Sequence, residues 1–416
     1  MVDVVVNHFG YNGAPDSVDY STFTPFNSKS YFHDYCTIDY SNTGNAVSVI
    51  IKSLMHVDHA SLECGEIFTW IVLTCAQTQI TECWMGDTSV PLPDLRTEDS
   101  NVSSQYNTWI SGLVSDYSVD GLRLDTVMEV NTGFWSAFHS AAGVYMVGEV
   151  NEGDAGYVCG FQNYVPGLLN YATYFPLVSA FSSTSGSISD LSNMINTVKG
   201  SCSDMSLLGS FSENHDQPRF ASLTGDMALA KNVMTYTLLA DGIPIVYQGQ
   251  EQHYNALGGS NDPYNREAIW FSQYNTSAPL YELTKSLNAM RKQAISDDSS
   301  YLSYNNYPIY TDTTTLAMRK GKMVTVLSNK GASGASYTLT LASGYSSGTQ
   351  VTELLTCDTL TTDGSGNLAV PMANGQPRIY YPSASIGSLC GGNSKPKPKF
   401  LVPRPKYVVK AKATNA

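Results

Sequence analysis

The run Asp120-Gly121-Leu122-Arg123-Leu124-Asp125-Thr126-Val127 is rich in apolar residues and delivers an arginine and, two residues later, an aspartate. Side chains on a strand alternate faces with period two, so Arg123 and Asp125 point the same way. A fixed cation beside a carboxylate favours the ionised form, which a nucleophile requires and a proton donor does not. Three more segments repeat this layout of an apolar run ending in functional groups: Val2-Asp3-Val4-Val5-Val6-Asn7-His8, Tyr145-Met146-Val147-Gly148-Glu149-Val150, and Leu207 to Asp216, which closes in Glu213-Asn214-His215-Asp216. Polar chemistry arriving at strand ends is the layout of a barrel or open α/β active site.

The elements that must hold these residues follow from periodicity. Val2–Val6 reads as a buried strand, and the polar stretch from Phe9 to about Ser100 as an excursion with no helical period. From Thr108 helix and strand alternate: helix near Trp109–Tyr117, strand to Asp125, helix near Phe134–Ala142, strand to Glu149, then a strand near Leu168–Tyr174 and a helix at Ile188–Val198. A strand at Leu207–Phe211, a helix at Met227–Ala240, a strand at Ile243–Tyr247 and a helix at Leu280–Ala294 complete the series. The alternation predicts a parallel sheet with helices outside, six strands in all. Beyond residue 300, short alternating runs (Thr315–Arg319, Met323–Ser328, Tyr337–Leu341, Gln350–Thr352) predict a small antiparallel sandwich.

Composition narrows the partners. A net charge of −13 over 416 residues disfavours nucleic acid and anionic membrane, whereas a neutral polysaccharide needs no charge complementarity. The longest apolar stretch in the first hundred residues, 67–76, is about half of the roughly 20 residues that a spanning helix needs. Eight cysteines without a C-x-x-C pair read as disulfides of an oxidising compartment rather than zinc ligands. The sequons at Asn101 and Asn275 agree with export, whereas the β-branched run after Met1, with no basic n-region or cleavage site, is not expected to act as a signal peptide.

DVVVNH, GLRLDTV, GEV and ENHD, in this order and at these separations, resemble the four diagnostic segments of the fungal secreted α-amylases, and the similarity runs to about Cys390. These are retaining glycoside hydrolases, so the resemblance implies endo-acting cleavage of α-1,4-glucosidic bonds in starch or glycogen. In that chemistry one ionised carboxylate attacks the anomeric carbon while a protonated one, about 5–5.5 Å away, serves the leaving oxygen. It implies Asp125 as nucleophile, Glu149 as acid and Asp216 as the group that orients sugar hydroxyls. His8 and His215 match histidines that bond the reacting sugar, and Arg123, Asp262 and Arg266 match further substrate-side groups. A lone acid or histidine at any one of these positions is more often structural; the joint pattern carries the reading.

The resemblance further implies Ca²⁺, held by Asn7 and Asp94 with backbone carbonyls of Thr81 and Glu129, hard oxygens from distant segments. Where these amylases read Lys-His, this chain has Met128-Glu129, which leaves a carbonyl ligand but alters contacts to the leaving-group sugars. Implied disulfides are Cys36–Cys83, Cys159–Cys202 and Cys357–Cys390, leaving Cys64 and Cys75 in an interruption near 43–76. That interruption reads as a translated intron, since Gly44-Asn45 and Leu73 to Gln77 can be encoded with donor- and acceptor-like sequences; a genuine surface insertion is the alternative.

The strand ending in Asn7-His8 matches the family's third. The implied fold is therefore an α/β, (β/α)8 TIM barrel lacking its first two strands (1–8 and 101–298), with an inserted excursion domain (9–100) and a C-terminal antiparallel β-sandwich (299–390). A basic, Pro-interrupted tail follows (391–416), expected to be disordered. The expected setting is extracellular and monomeric, with an α-glucan as partner. Two other functions fit the same residues: a catalytically inactive truncated fragment or glucan-binding remnant, and an α-glucanotransferase, against which the intact His8 and His215 argue.

Overall fold

The computed structural model describes residues 1–38, 79–257, 259 and 262–391. Cys64, Cys75, the interruption at 43–76 and nearly all of the tail lie outside the described residues.

Among the described residues six short strands form a parallel arc. β1 (Val2–Val4) pairs with β4 (Gly121–Leu124), β4 with β5 (Tyr145–Gly148), and β5 with β6 (Gly167–Leu168), all parallel. A bridge from Leu169 to Gly209 continues the arc into β7 (Gly209–Ser210), which pairs with β8 (Ile243–Pro244). The number and order of strands agree with the alternation in the sequence. Alternation also orients β4: Leu122 and Leu124 are fully buried in the hydrophobic cluster shared with the flanking helices, whereas Arg123 and Asp125 share the opposite face. At Gly167 the chain tolerates no side chain, because a Cβ there would lie 2.2 Å from the Tyr145 hydroxyl and 2.5 Å from the Leu207 carbonyl.

Three elements differ from expectation. Val2–Val6, expected as a buried strand, is a strand only at Val2–Val4, and Val5 is exposed. α1 runs Ser100–Tyr117, beginning well before Trp109, because Asp99 caps it by accepting from the Asn101 N–H at 2.8 Å. The run expected as a strand over Leu168–Tyr174 is a strand only at Gly167–Leu168; Asn170 then accepts from the Thr173 N–H at 3.1 Å and starts a helix, Tyr171–Phe181. A capping side chain overrides the β-propensity of the aromatics that follow it. Counting α2 as Phe134–Ala142 and α3 as Ala155–Gly160, this unexpected helix is α4, and it is followed by α5 (Ile188–Ser201), α6 (Phe220–Leu223), α7 (Met227–Leu239) and α8 (Pro279–Asp297).

Between β1 and α1 the described excursion residues form 3₁₀ turns and a hairpin, β2 (Met85–Gly86) with β3 (Pro91–Leu92). It docks through an aromatic cluster in which Phe9 stacks on Phe23 at 4.9 Å and Phe26 reaches Tyr106 of α1 at 5.2 Å.

The C-terminal unit is a six-stranded antiparallel sheet faced by a two-stranded one, with more strands than the sequence reading placed. The larger sheet contains β9 (Tyr307–Thr311), β10 (Thr315–Lys320), β11 (Met323–Ser328), β13 (Gln350–Glu353), β14 (Thr359–Thr361) and β16 (Arg378–Pro382); β12 (Tyr337–Ala342) pairs with β15 (Asn367–Met372). Every residue of β11 is buried because both faces are covered: Val324 and Val326 enter the sandwich interior, and Met323 and Leu327 pack with the barrel helices. Asn232 of α7 fastens the two units, donating to the Gly375 carbonyl at 2.7 Å and accepting from the Ser328 N–H at 2.9 Å. The disulfides Cys36–Cys83, Cys159–Cys202 and Cys357–Cys390 form as expected. Among the described residues no helix is long and apolar enough to cross a membrane.

Candidate active site

Strand ends converge on one guanidinium. Arg123 Nη1 holds Asp125 and, at 3.1 Å, Asp3, the residue opposite it in register on β1. Its Nη2 donates to Glu149 Oε2 at 2.8 Å and lies 3.7 Å from Asp216 Oδ2. Arg123 is thus shared among all three expected catalytic carboxylates rather than reserved for Asp125, which corrects the simpler pairing read from the strand period. Thr126, just past β4, adopts left-handed φ/ψ of 50° and 47°, costly for a β-branched residue. The turn it makes lets its N–H donate to Glu149 Oε2 at 3.3 Å.

Each acid sits in a different environment. Burial holds Glu149 above the usual carboxylate range against the opposing charge of Arg123, and the negative charges of Asp125 and Asp216 add to the rise. At Asp216 burial also disfavours ionisation, but the hydrogen bond from His215 and the cations Arg123 and Arg266 outweigh it and hold the carboxyl below its ordinary range. His215 Nε2 lies 3.1 Å from Asp216 Oδ2, and that contact raises its basicity. His8 is the reverse case: burial lowers its pKa against the pull of Asp125, so the imidazole is neutral at pH 7.

The loop after β8 supplies the remaining expected residues. Arg266 Nη2 donates to Asp216 Oδ1 at 3.2 Å, its Nε donates to the His215 carbonyl at 3.1 Å and lies 3.3 Å from Asp262. The fully buried Asn265 brackets Asp216, its Nδ2 donating to the carbonyls of His215 at 2.9 Å and Gln217 at 3.0 Å.

Asn7 and Asp94 come together beside this site, from the segments that follow β1 and β3. Both are buried, and the Oδ1 atom of each has no hydrogen-bond partner. Two orphaned buried oxygens fit a hard cation. His33 supports the pair, its Nδ1 lying 2.7 Å from Asp94 Oδ2. Burial pushes Asp94 up to about 7 and Glu129 up to about 8, and Asp94 is among the charges acting on Glu129. Thr81 is buried, at the start of the segment leading to β2.

Residues the sequence reading passed over complete the site: Asp3 on Arg123, Asn265 around Asp216, and Tyr171, whose hydroxyl lies 3.2 Å from Glu149 Oε1. The signal for Tyr171 was the cap residue Asn170, which turns its segment into a helix entering the site. Asn214 was visible inside Glu213-Asn214-His215-Asp216, but its partners were not.

Residues 1–298 match the family model "Alpha amylase, catalytic domain" and residues 308–398 match "Alpha-amylase, domain C". The chain is 44% identical to α-amylase 2 of Schwanniomyces occidentalis, covering 93% of this chain and 70% of that protein. It is likewise 44% identical to the α-amylase of Saccharomycopsis fibuligera, covering 94% and 71%. The solved α-amylase of Malbranchea cinnamomea superposes with a TM-score of 0.83 at 44% identity, covering 94% of this chain and 75% of that one. The site of carboxylates on strand ends and the sandwich that follows it are therefore those of a member of the α-amylase family, to which this chain belongs.

Proposed function

We propose that the chain is an endo-acting glycoside hydrolase that cleaves α-1,4-glucosidic bonds of starch or glycogen with retention of configuration. The observation that carries this reading is the Arg123 guanidinium shared by Asp125, Glu149 and Asp216. Asp125 Oδ attacks the anomeric carbon as the glycosidic C–O bond breaks, and Glu149 gives its proton to the departing oxygen. Water then displaces Asp125, returning a proton to Glu149. Asp216, with His215 and Arg266, orients sugar hydroxyls, and the neutral His8 can donate a hydrogen bond to the reacting sugar. Asp262 and Arg266 extend the substrate contact.

Asn7 and Asp94 would hold Ca²⁺ with the carbonyls of Thr81 and Glu129. When bound, the ion supplies positive charge that ties the excursion to the barrel. The domain reading is a barrel of 1–8 and 101–298, an excursion of 9–100, and a sandwich of 299–390. Three disulfides support an extracellular setting, and we take the chain as monomeric.

In the full (β/α)8 ring the first two strands would stand between β8 and β1. Among the described residues neither edge has a strand partner on that side, and Val5 and Ile243 are exposed there. The two other readings of the sequence, a catalytically inactive fragment and an α-glucanotransferase, are outcomes that an assay separates from hydrolysis. Reducing-sugar release from soluble starch by the purified chain, beside its Asp125→Asn variant, decides between them. Activity abolished in the variant, with α-configured first products by NMR, supports hydrolysis with retention; no activity in either supports the fragment. Maltooligosaccharides lengthened rather than shortened would indicate transfer.

A further inference from the structure

Building on the hydrolytic reading, we propose that Tyr171, oriented by Asn214, is a positioning residue for Glu149 that leaves the transferable proton a single seat on Oε1. The orientation begins at Asn214. Its Oδ1 accepts the Asp216 N–H at 3.0 Å, so the other end of the amide is its NH₂, and Nδ2 donates to the Tyr171 hydroxyl oxygen at 2.7 Å. A phenol has one proton. With Asn214 as donor to its oxygen, Tyr171 directs that proton to Glu149 Oε1 at 3.2 Å.

The other carboxyl oxygen is already occupied. Oε2 accepts from Arg123 Nη2 at 2.8 Å and from the Thr126 N–H at 3.3 Å. A carboxylate offers about four lone-pair positions; these three donors occupy three, and the remaining one is on Oε1. The phenol is held in place by burial and by its ring, which meets Phe211 edge-on at 5.0 Å between centroids. The same Asn214 amide binds the Asp216 backbone, so proton donor and sugar-orienting carboxylate are aligned by one side chain.

As the glycosidic C–O bond breaks, the proton leaves Oε1 for the leaving oxygen while Asp125 forms its bond to the anomeric carbon. Negative charge develops on the oxygen to which Tyr171 donates. A donor already in place stabilises that charge without reorganisation. In the second half, water attacks the anomeric carbon, its proton returns to Oε1, and the bond to Asp125 breaks.

The test is Tyr171→Phe in the full chain, assayed on maltoheptaose, whose sugar leaving group needs the proton, and on 2-chloro-4-nitrophenyl maltotrioside, whose phenolate leaves without it. The expected result is a fall in kcat of about tenfold on maltoheptaose with KM little changed, a much smaller fall on the aryl substrate, and an alkaline limb moved to higher pH. Loss of a donor to the ionised form raises the pKa of Glu149, and the charged groups around it (Arg123, Asp125, Asp216 and Glu129) are untouched by the variant. The ratio between substrates is taken within one preparation, so any loss of folded protein cancels. Equal losses on both substrates with an unmoved limb overturn the inference alone, the parent chain remaining active. A parent chain inactive on both substrates overturns the hydrolytic reading and the inference with it.

Discussion

Arg123 and Glu149 are joined by a 2.8 Å hydrogen bond from Nη2 to Oε2, while Nη1 of the same guanidinium holds Asp125. One rigid fork therefore sets the separation of the two carboxylates that the reaction uses. A lysine ammonium is a point charge and cannot span both. Arg123→Lys is expected to lower kcat on starch by on the order of a hundredfold with a smaller change in KM, because geometry in the transition state is lost. Steady-state kinetics on soluble starch check this, and rates within about threefold of the parent contradict it.

Glu149 acts as an acid only while protonated, and burial with the charges of Asp125 and Asp216 raises its pKa. Activity is therefore expected to fall as pH rises through that raised value. Asp216→Asn removes one of the negative charges, which lowers the pKa of Glu149. The alkaline limb of kcat/KM should move to lower pH in this variant, alongside a reduced rate. A limb that stays in place shows that Asp216 does not act on Glu149.

Unsatisfied oxygens on Asn7 and Asp94 predict stabilisation by calcium. A ligand at one hundred times its dissociation constant adds about 2.7 kcal/mol to unfolding. Differential scanning fluorimetry is expected to show a Tm that rises with added Ca²⁺ and falls with EGTA, and Asp94→Asn should blunt both responses. A Tm indifferent to both reagents refutes the site.

Lys320 and Asp241 form an ion pair of 2.5 Å between the sandwich and the barrel, with Lys320 3% and Asp241 10% exposed at the side chain. Asp241 also accepts from the Asn306 N–H at 2.9 Å. Removing one partner of a buried pair strands the other charge, so Asp241→Ala is expected to cost about 3–5 kcal/mol in urea unfolding. Lys320→Met leaves Asp241 its backbone donor and should cost clearly less. Equal costs would show that the Asn306 N–H does not compensate Asp241 for the lost ammonium.

The sequence by itself determined the elements whose pattern is local. Leu122 and Leu124 alternate with Arg123 and Asp125, so strand, core face and site face of β4 are all legible in four residues. The run before Glu149 is legible in the same way. The three disulfide pairs and the order of six strands followed from resemblance and alternation. What stayed hidden was what a two-residue strand cannot signal. Gly167–Leu168 is too short for a period, and the capping of α4 by Asn170 shows only once the Asn170–Thr173 bond forms.

Only the tertiary structure decided how the site is wired. Thr126, Glu149, Tyr171 and Asn214 meet because four parallel strand ends lie side by side, an arrangement made by sheet pairing between residues far apart in the chain. The residue types announced acids at strand ends; which oxygen of Glu149 keeps a free position depends on hydrogen bonds that no spacing encodes.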